Sequence, residues 1–315
     1  YWSAERLYAS LLASGSGIDD VTLLNTAGGE PAISGTQAVP GVFTKTGWET
    51  AARPYLEWVE AVRDHWAMQE AWSGAPSQRA PLRVRYEQDY ESRWLNFLST
   101  TQVRASAQTG ETKAFLEKAS TEDSPILKLL RRVDDETHYA ERDELTDIGD
   151  HFSAVHWFVG DHASLTKKLT GGGFLSGCGG KKKKEDSKAG VKSKAPADEY
   201  LSLVKTLSAS LSDIKDSGDP KNAPQVLDLA GWIQTRIPTD ERAGQELASL
   251  LELPSQVITG SMKKAQGKGL QSQWSTVFQE FETNLAGKYP FEASDDDAAL
   301  PDFASFFGPE GSFWS

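Results

Sequence analysis

The sequence predicts an all-α chain, a multi-helix bundle of about nine helices interrupted by one low-complexity insertion. Three observations carry that prediction. Apolar residues recur at spacings of three and four in segment after segment, the beat of a single helix face. Helix punctuation stands at the segment ends, as in Ser124-Pro125 before one apolar stripe and Gly287 after another. No segment alternates apolar and polar residues convincingly, as a half-buried strand would.

Residues 4–13 read as a short helix with Leu7, Leu11 and Leu12 inward. Residues 14–47 lack a helical period, are rich in Gly, Pro, Ser and Thr, and read as irregular surface chain. Within them begins the run Val39-Pro40-Gly41-Val42-Phe43-Thr44-Lys45-Thr46-Gly47-Trp48. Pro-Gly is a turn signal, and Thr46 is placed to cap the next helix. That helix carries Trp48, Tyr55, Trp58, Val59, Val62 and Trp66 and is expected to reach Trp72, before Ser73-Gly74-Ala75-Pro76.

A third helix places Tyr86, Tyr90, Trp94, Phe97 and Leu98 on one face. A short one spans Thr112 to Ala119. The next opens on Ser124-Pro125 and buries Ile126, Leu129, Leu130 and Val133, and another covers Asp147 to Gly160 with Phe152, Val155, Trp157 and Phe158. Residues 165–197 hold the glycine and lysine runs Gly171–Gly173 and Lys181–Lys184 and too little apolar surface to pack, so mobility is expected. Helical period returns with Tyr200, Leu203, Val204, Leu207, Leu211 and Ile214, then over Pro224–Gln234 and Ala243–Leu253.

The terminal helix is marked by Leu270, Trp274, Val277, Phe278, Phe281 and Leu285, with polar residues between them. Gly287 ends it. Lys288-Tyr289-Pro290-Phe291 is expected to be extended because Tyr289 precedes a proline. A last short helix has Pro301 in its first turn and Phe303, Phe306 and Phe307 on one side, and Gly308-Pro309 stops it. Each phenylalanine is worth roughly 1.5–3 kcal/mol if fully removed from water, so a large cover over this stretch is expected.

At 315 residues the chain is long enough for one large domain or two. The expected division is 1–164, the insertion 165–197, and 198–315 packing back on the first part. Beginning at Tyr1 and stopping at Ser315, the chain reads as a segment of a longer protein. No apolar run approaches the roughly 18–20 residues that span a bilayer. The single Cys178 excludes an internal disulfide framework and a cysteine-rich zinc site. Between Gly160 and Ala197 nine lysines face Asp161, Glu185 and Asp186, a local charge of +6 that leaves −18 for the rest of a chain of net −12. A body that acidic argues against nucleic-acid binding.

Candidate chemistry is thin. His151, His156 and His162 lie near Asp147, Asp150 and Asp161, but spacings of five and six point them to different helix faces. No metal ligand is assigned on that ground. The Gly180-Lys181 run fails the phosphate-loop pattern, since Leu175 stands where the first glycine belongs and Lys182 replaces the hydroxyl. The lysines suit an anionic partner such as lipid headgroups, though a solvated charge run is the plainer reading. Asp295-Asp296-Asp297 lacks the ligand spacing and final glutamate of a calcium loop. Cys178 has no neighbouring histidine to activate it. The ten tryptophans mostly sit beside Leu, Val and Phe at helical spacing, which favours core packing over a sugar-binding groove.

Three stretches together carry a family likeness: Val39 through Trp48; Tyr86 through Val133, including Asp123-Ser124-Pro125-Ile126-Leu127; and Trp274 through Gly311, including Lys288-Tyr289-Pro290-Phe291 and Leu300-Pro301-Asp302-Phe303. The chain resembles the TssM/IcmF family, the large inner-membrane subunit of the bacterial type VI secretion membrane complex. The resemblance implies a helical part of the region projecting into the periplasm. Membrane helices and an NTPase-like domain are then expected upstream, outside this chain, and a β-rich domain downstream. It implies a scaffold that joins a TssL-like inner-membrane protein to a TssJ-like outer-membrane lipoprotein, beside other copies of itself. The membrane would be reached only through the upstream segments.

No enzyme activity, cofactor, metal or catalytic residue is implied. The residues singled out are a structural motif and candidate domain junction: Pro40, Gly41, Phe43, Trp48, Tyr289, Pro290, Phe291, Phe303, Phe306 and Phe307. The 165–197 insertion departs from the family pattern. Two rivals stand beside the scaffold: a periplasmic metal-dependent hydrolase using the 147–162 cluster, and a glycan-binding helical module using exposed aromatics.

Overall fold

Helix after helix begins where the sequence supplies a cap or a proline. The computed structural model describes residues 3–64, 77–104, 106, 108–139, 145–160, 195–216, 223–309 and 311–314, with only the backbone for 64, 109, 214–216, 265–270 and 272. Fifteen helices lie in these residues. The first are α1 (Ala4–Ser14) and the four-residue α2 (Leu23–Thr26), the latter held by a reciprocal Thr22–Asn25 capping box. A tight turn at Gly41–Phe43 leads into α3 (Lys45–Gly47), a wide turn of helix at Trp48–Ala52, and α4 (Arg53–Asp64). Then come α5 (Arg79–Ser99), α6 (Thr109–Ala119), α7 (Pro125–Thr137), α8 (Thr146–His151) and α9 (Ser153–Val159). The second half contains α10 (Pro196–Ala209), α11 (Leu211–Asp216), α12 (Pro224–Arg236), α13 (Arg242–Leu251), α14 (Leu253–Asn284) and α15 (Leu300–Phe307). Helices α7, α10, α12, α14 and α15 open with proline at their first or second position, where its missing N–H costs nothing.

The all-α class holds, with more and shorter helices than the expected nine. Four further differences have physical causes. A two-residue antiparallel pair, β1 (Ile33–Ser34) and β2 (Gln102–Val103), pairs Ile33 with Val103 and Ser34 with Gln102, too short to show any alternation in sequence. The helix cap is Thr44, not Thr46: its hydroxyl accepts from Gly47 N–H at 3.0 Å and donates to Gly41 carbonyl at 2.7 Å. The terminal helix starts at Leu253 instead of Leu270 and runs 32 residues, because Pro254 occupies its first turn instead of breaking it. The insertion gives way to α10 at Pro196; residues 161–194, like Trp66 and Trp72 of the second helix, lie outside the described residues.

One contiguous core takes in side chains from Leu7 to Met262. Its axis is α5, which packs against α1, α4, α8 and α13, while α9 joins α7, α10 and α13. Tyr86, Tyr90, Trp94 and Leu98, spaced by four along α5, are completely or almost completely buried. Gly287, with φ of 78°, ends the last turn after α14 in the left-handed region, as its position in the sequence led us to expect.

Two glycines separate steric need from mere tolerance. A Cβ on Gly47 would sit 2.2 Å from the Gly41 carbonyl oxygen, whereas one on Gly231, exposed within α12, meets nothing within 4 Å. Gly47→Ala is expected to lower unfolding stability by about 3 kcal/mol, and Gly231→Ala to raise it by about 0.5–1 kcal/mol. Chemical denaturation of the two variants checks both signs.

Candidate functional site

The Pro40–Trp48 run folds into a knot of backbone whose polar groups are met by distant side chains. Gly41 N–H donates to Asp20 Oδ1 at 2.9 Å, and Phe43 N–H to Pro40 carbonyl at 2.8 Å. The carbonyls of Val42 and Phe43 point at α5, where Tyr86 Oη donates to the first at 2.7 Å and Trp94 Nε1 to the second at 2.9 Å. Tyr90, between them, donates to the Glu136 carbonyl on α7 at 2.8 Å. Glu136 closes the circuit: its carboxylate accepts from Lys45 N–H at 2.6 Å and pairs with Arg132 at 2.8 Å. Phe43 stacks on Tyr86 with ring centroids 5.4 Å apart, and Trp48 lies at the same distance from Tyr86. A Cβ on Gly41 would lie 2.2 Å from the Ile18 carbonyl oxygen, so only glycine fits. Gly41, Phe43 and Trp48 are buried and Pro40 half-buried.

The other singled-out residues form a separate aromatic knob at the far end of α14. Phe281 meets Phe291 at 5.2 Å and Phe306 at 5.7 Å; Phe307 contacts Phe303, Phe306 and Phe313 at 5.1, 4.8 and 5.4 Å. Phe306 is its buried centre at 4% exposure, and Leu285 is buried too, but neither belongs to the main core. Tyr289 N–H donates to the Asp296 carbonyl at 2.8 Å, which folds the 288–298 loop over the knob.

The described residues do not supply the expected cover. Trp274 and Phe278 are each 58% exposed, and Tyr289, Phe291, Leu300, Phe303, Phe313 and Trp314 are exposed as well. Core packing holds for Trp48 and Trp94 but fails for Trp58, which the second-helix stripe had placed inward and which is 44% exposed.

Among the described residues, the histidines of the 147–162 cluster do not come together. His151 Nδ1 lies 2.8 Å from Glu91 on α5, whereas His156 Nδ1 lies 2.6 Å from Asp134 on α7; His162 is outside the described residues. His138, capping α7, stands beside His156 with ring centroids 4.8 Å apart. Sequence reasoning missed this grouping of Asp134, His138 and His156 because it searched within one segment, although Asp134 and His138 are spaced by four on one helix. A cleft of about 670 Å³ lies between α6, the strand pair and α14. Its lining carries charges such as Glu30, Arg104 and Lys118, with Glu30 and Lys118 paired at 2.7 Å, but no histidine or cysteine among the described residues.

Comparison with known proteins follows the same three stretches. The family model described as "IcmF-related: Intracellular multiplication and human macrophage-killing" matches residues 2–138. A second, "Type VI secretion protein IcmF helical domain", matches 265–313. A solved structure described as "Type VI secretion system membrane core complex" is similar over 99% of this chain at 18% identity and a TM-score of 0.57, a likeness of fold. This chain spans 61% of that one. A "Type VI membrane complex" chain is similar over 96% of this chain and 59% of its own length, at 17% identity and a TM-score of 0.40. No curated protein sequence matches.

Burial pushes the Tyr86 and Tyr90 hydroxyls well above the ordinary tyrosine range, and burial alone does the same for Tyr200, whose Oη has no hydrogen-bond partner among the described residues. Tyrosines of the unfolded chain ionise near pH 10, so the folded chain has their full contribution below that pH and loses it as pH rises above about 10. Tyr200→Phe should cost little at neutral pH and make the alkaline loss of stability shallower. Tyr86→Phe should cost about 1–3 kcal/mol at neutral pH, since it orphans the Val42 carbonyl. Denaturant midpoints measured from pH 7 to 11 separate the two.

Proposed function

The chain belongs to the TssM/IcmF family of type VI secretion proteins, and we propose that its part in them is structural and non-catalytic. In this reading residues 1–164 and 198–315 are two helical parts of a rigid periplasmic segment of an inner-membrane protein. It helps link an inner-membrane partner of the TssL type to an outer-membrane lipoprotein of the TssJ type, alongside further copies of itself. No helix among the described residues is long and apolar enough to cross a membrane, so in this reading attachment to the inner membrane falls to other segments.

The observation that carries the proposal is the knob. A 32-residue helix leaves the core and ends in aromatic side chains whose outer faces are exposed. Exposed apolar surface of this extent marks contact with another body. We place the junction with the next domain or subunit on Trp274, Phe278, Phe291 and Phe303, with Phe306 holding the knob together beneath them.

Phe278→Ser in the complete secretion protein is expected to leave the stability of this segment within about 0.5 kcal/mol while abolishing assembly of the membrane complex and secretion. Phe306→Ala is expected to cost about 3–5 kcal/mol of the knob's own stability, read by hydrogen exchange across residues 285–314. Normal assembly and secretion with Phe278→Ser and Phe303→Ser together would refute the junction.

A further inference from the structure

We propose that Asp134, His138 and His156 form a binding site for a divalent transition metal, with zinc the natural probe. One ligand atom from each lies within 4.8 Å of the other two. Both imidazoles turn their Nδ1 toward the same carboxylate oxygen, His156 at 2.6 Å and His138 at 3.7 Å from Asp134 Oδ1. Tetrahedral zinc with bonds of about 2.0–2.1 Å holds its ligand atoms roughly 3.3 Å apart. The His138–Asp134 pair must then close by under an ångström, the His156–Asp134 hydrogen bond must open by a similar amount, and the two imidazoles, within 4.8 Å of each other, must approach by up to about 1.5 Å, a movement that the exposed His138 side chain can supply.

The two elements that supply the ligands suit the task. Asp134 and His138 are four residues apart at the end of α7, the spacing that puts two ligands on one helix face, and His156 comes from α9, which packs against it. The C-terminal end of α7 presents its last carbonyls here, a field that favours a cation. His156 is mostly buried, and its Nε2 has no hydrogen-bond partner among the described residues. The Asp134 carboxylate holds the ring proton on Nδ1, so ligation through Nδ1 moves that proton to Nε2, a cost that the metal bonds must outweigh. Mixed imidazole and carboxylate donors select zinc, nickel, copper or iron over magnesium and calcium. His138, with a side chain 61% exposed, leaves an open approach and room for water in the remaining positions.

Metal bound there would clip the end of α7 to α9, which raises the melting temperature by mass action. The test is zinc titration by calorimetry of the full chain after chelator treatment, with magnesium as the control ion. One zinc per chain is expected, with a melting temperature that climbs with zinc and not with magnesium. His138→Ala, exposed and safe for folding, should weaken zinc binding at least as much as the roughly 10–100-fold that loss of an outer partner costs. His156→Ala and Asp134→Asn should do the same with unchanged circular dichroism, and His151→Ala should bind as the parent does. Absence of saturable zinc binding, or binding left intact by His138→Ala and His156→Ala, would overturn the site.

Discussion

Three hydrogen-bond donors spaced by four on α5 hold the first half of the molecule in place. Tyr86, Tyr90 and Trp94 are fully buried, yet each has one polar atom that must be satisfied. Each finds a backbone carbonyl far away in sequence: Val42, Glu136 and Phe43. The same carbonyls could not be met within their own segments, because the Gly41–Phe43 turn is too short to pair them and Glu136 lies in the last turn of α7. The dependence is mutual. An apolar ring at any of the three positions would pack as well and strand an acceptor. This is why the irregular chain before α3 is ordered and buried instead of lying loose on the surface.

The molecule is divided by how its apolar surface is covered. The main core is contiguous from α1 into the first turns of α14, and there it stops. At 1.5 Å per residue α14 is about 48 Å long, more than the core can flank, so its second half carries its own small cluster with the turn and α15. Phe281, Phe291, Phe306 and Phe307 hold that cluster through aromatic contacts and a few loop hydrogen bonds, and among its described residues Leu285 and Phe306 are the buried hydrophobes. Local stability must therefore fall from α5 outward to the knob. An element with weak internal packing and an exposed apolar rim gains most from a partner.

Much of this was legible in the residues, for identifiable reasons. The step of four from Tyr86 to Trp94, proline after Ser124 and Gly287 after the last apolar residue are local signals, and local physics decided those elements. Residues 256–269 were not legible as helix: Gly260, Gly267 and Gly269 with Lys263 and Lys264 interrupt the pattern, and the apolar positions are few, although Val257, Ile258 and Met262 pack into the main core. Periodicity also told which side chains share a face without telling what lies opposite. The Trp274–Phe281 stripe is helical as read, but the described chain covers it only at the Phe281 end and leaves Trp274 and Phe278 largely exposed. The role of Thr44 was hidden by Thr46, an equally good cap by composition; the choice was made by the Gly41 carbonyl, which only the fold brings within reach.

The end of α7 gathers more interactions than its length suggests, and helix geometry explains it. The last turn of any helix leaves carbonyls without intrahelical donors. Here Tyr90 answers one of them, while the side chains of the same turn reach outward: Glu136 to Lys45 N–H, and Asp134 to His156. The turn thus joins α5, the Pro40–Trp48 knot and α9 at a single point. Two of its three carboxylates face different neighbours, Glu136 a fixed positive partner in Arg132 and Asp134 the imidazoles of His138 and His156, which are neutral unless protonated. Among the contacts described, Glu136 is neutralised by the chain itself, whereas Asp134 shares its charge with groups that can take either a proton or a metal. A cation held by Asp134 would thus complete the charge pairing of a junction whose other connections are already made by the protein alone.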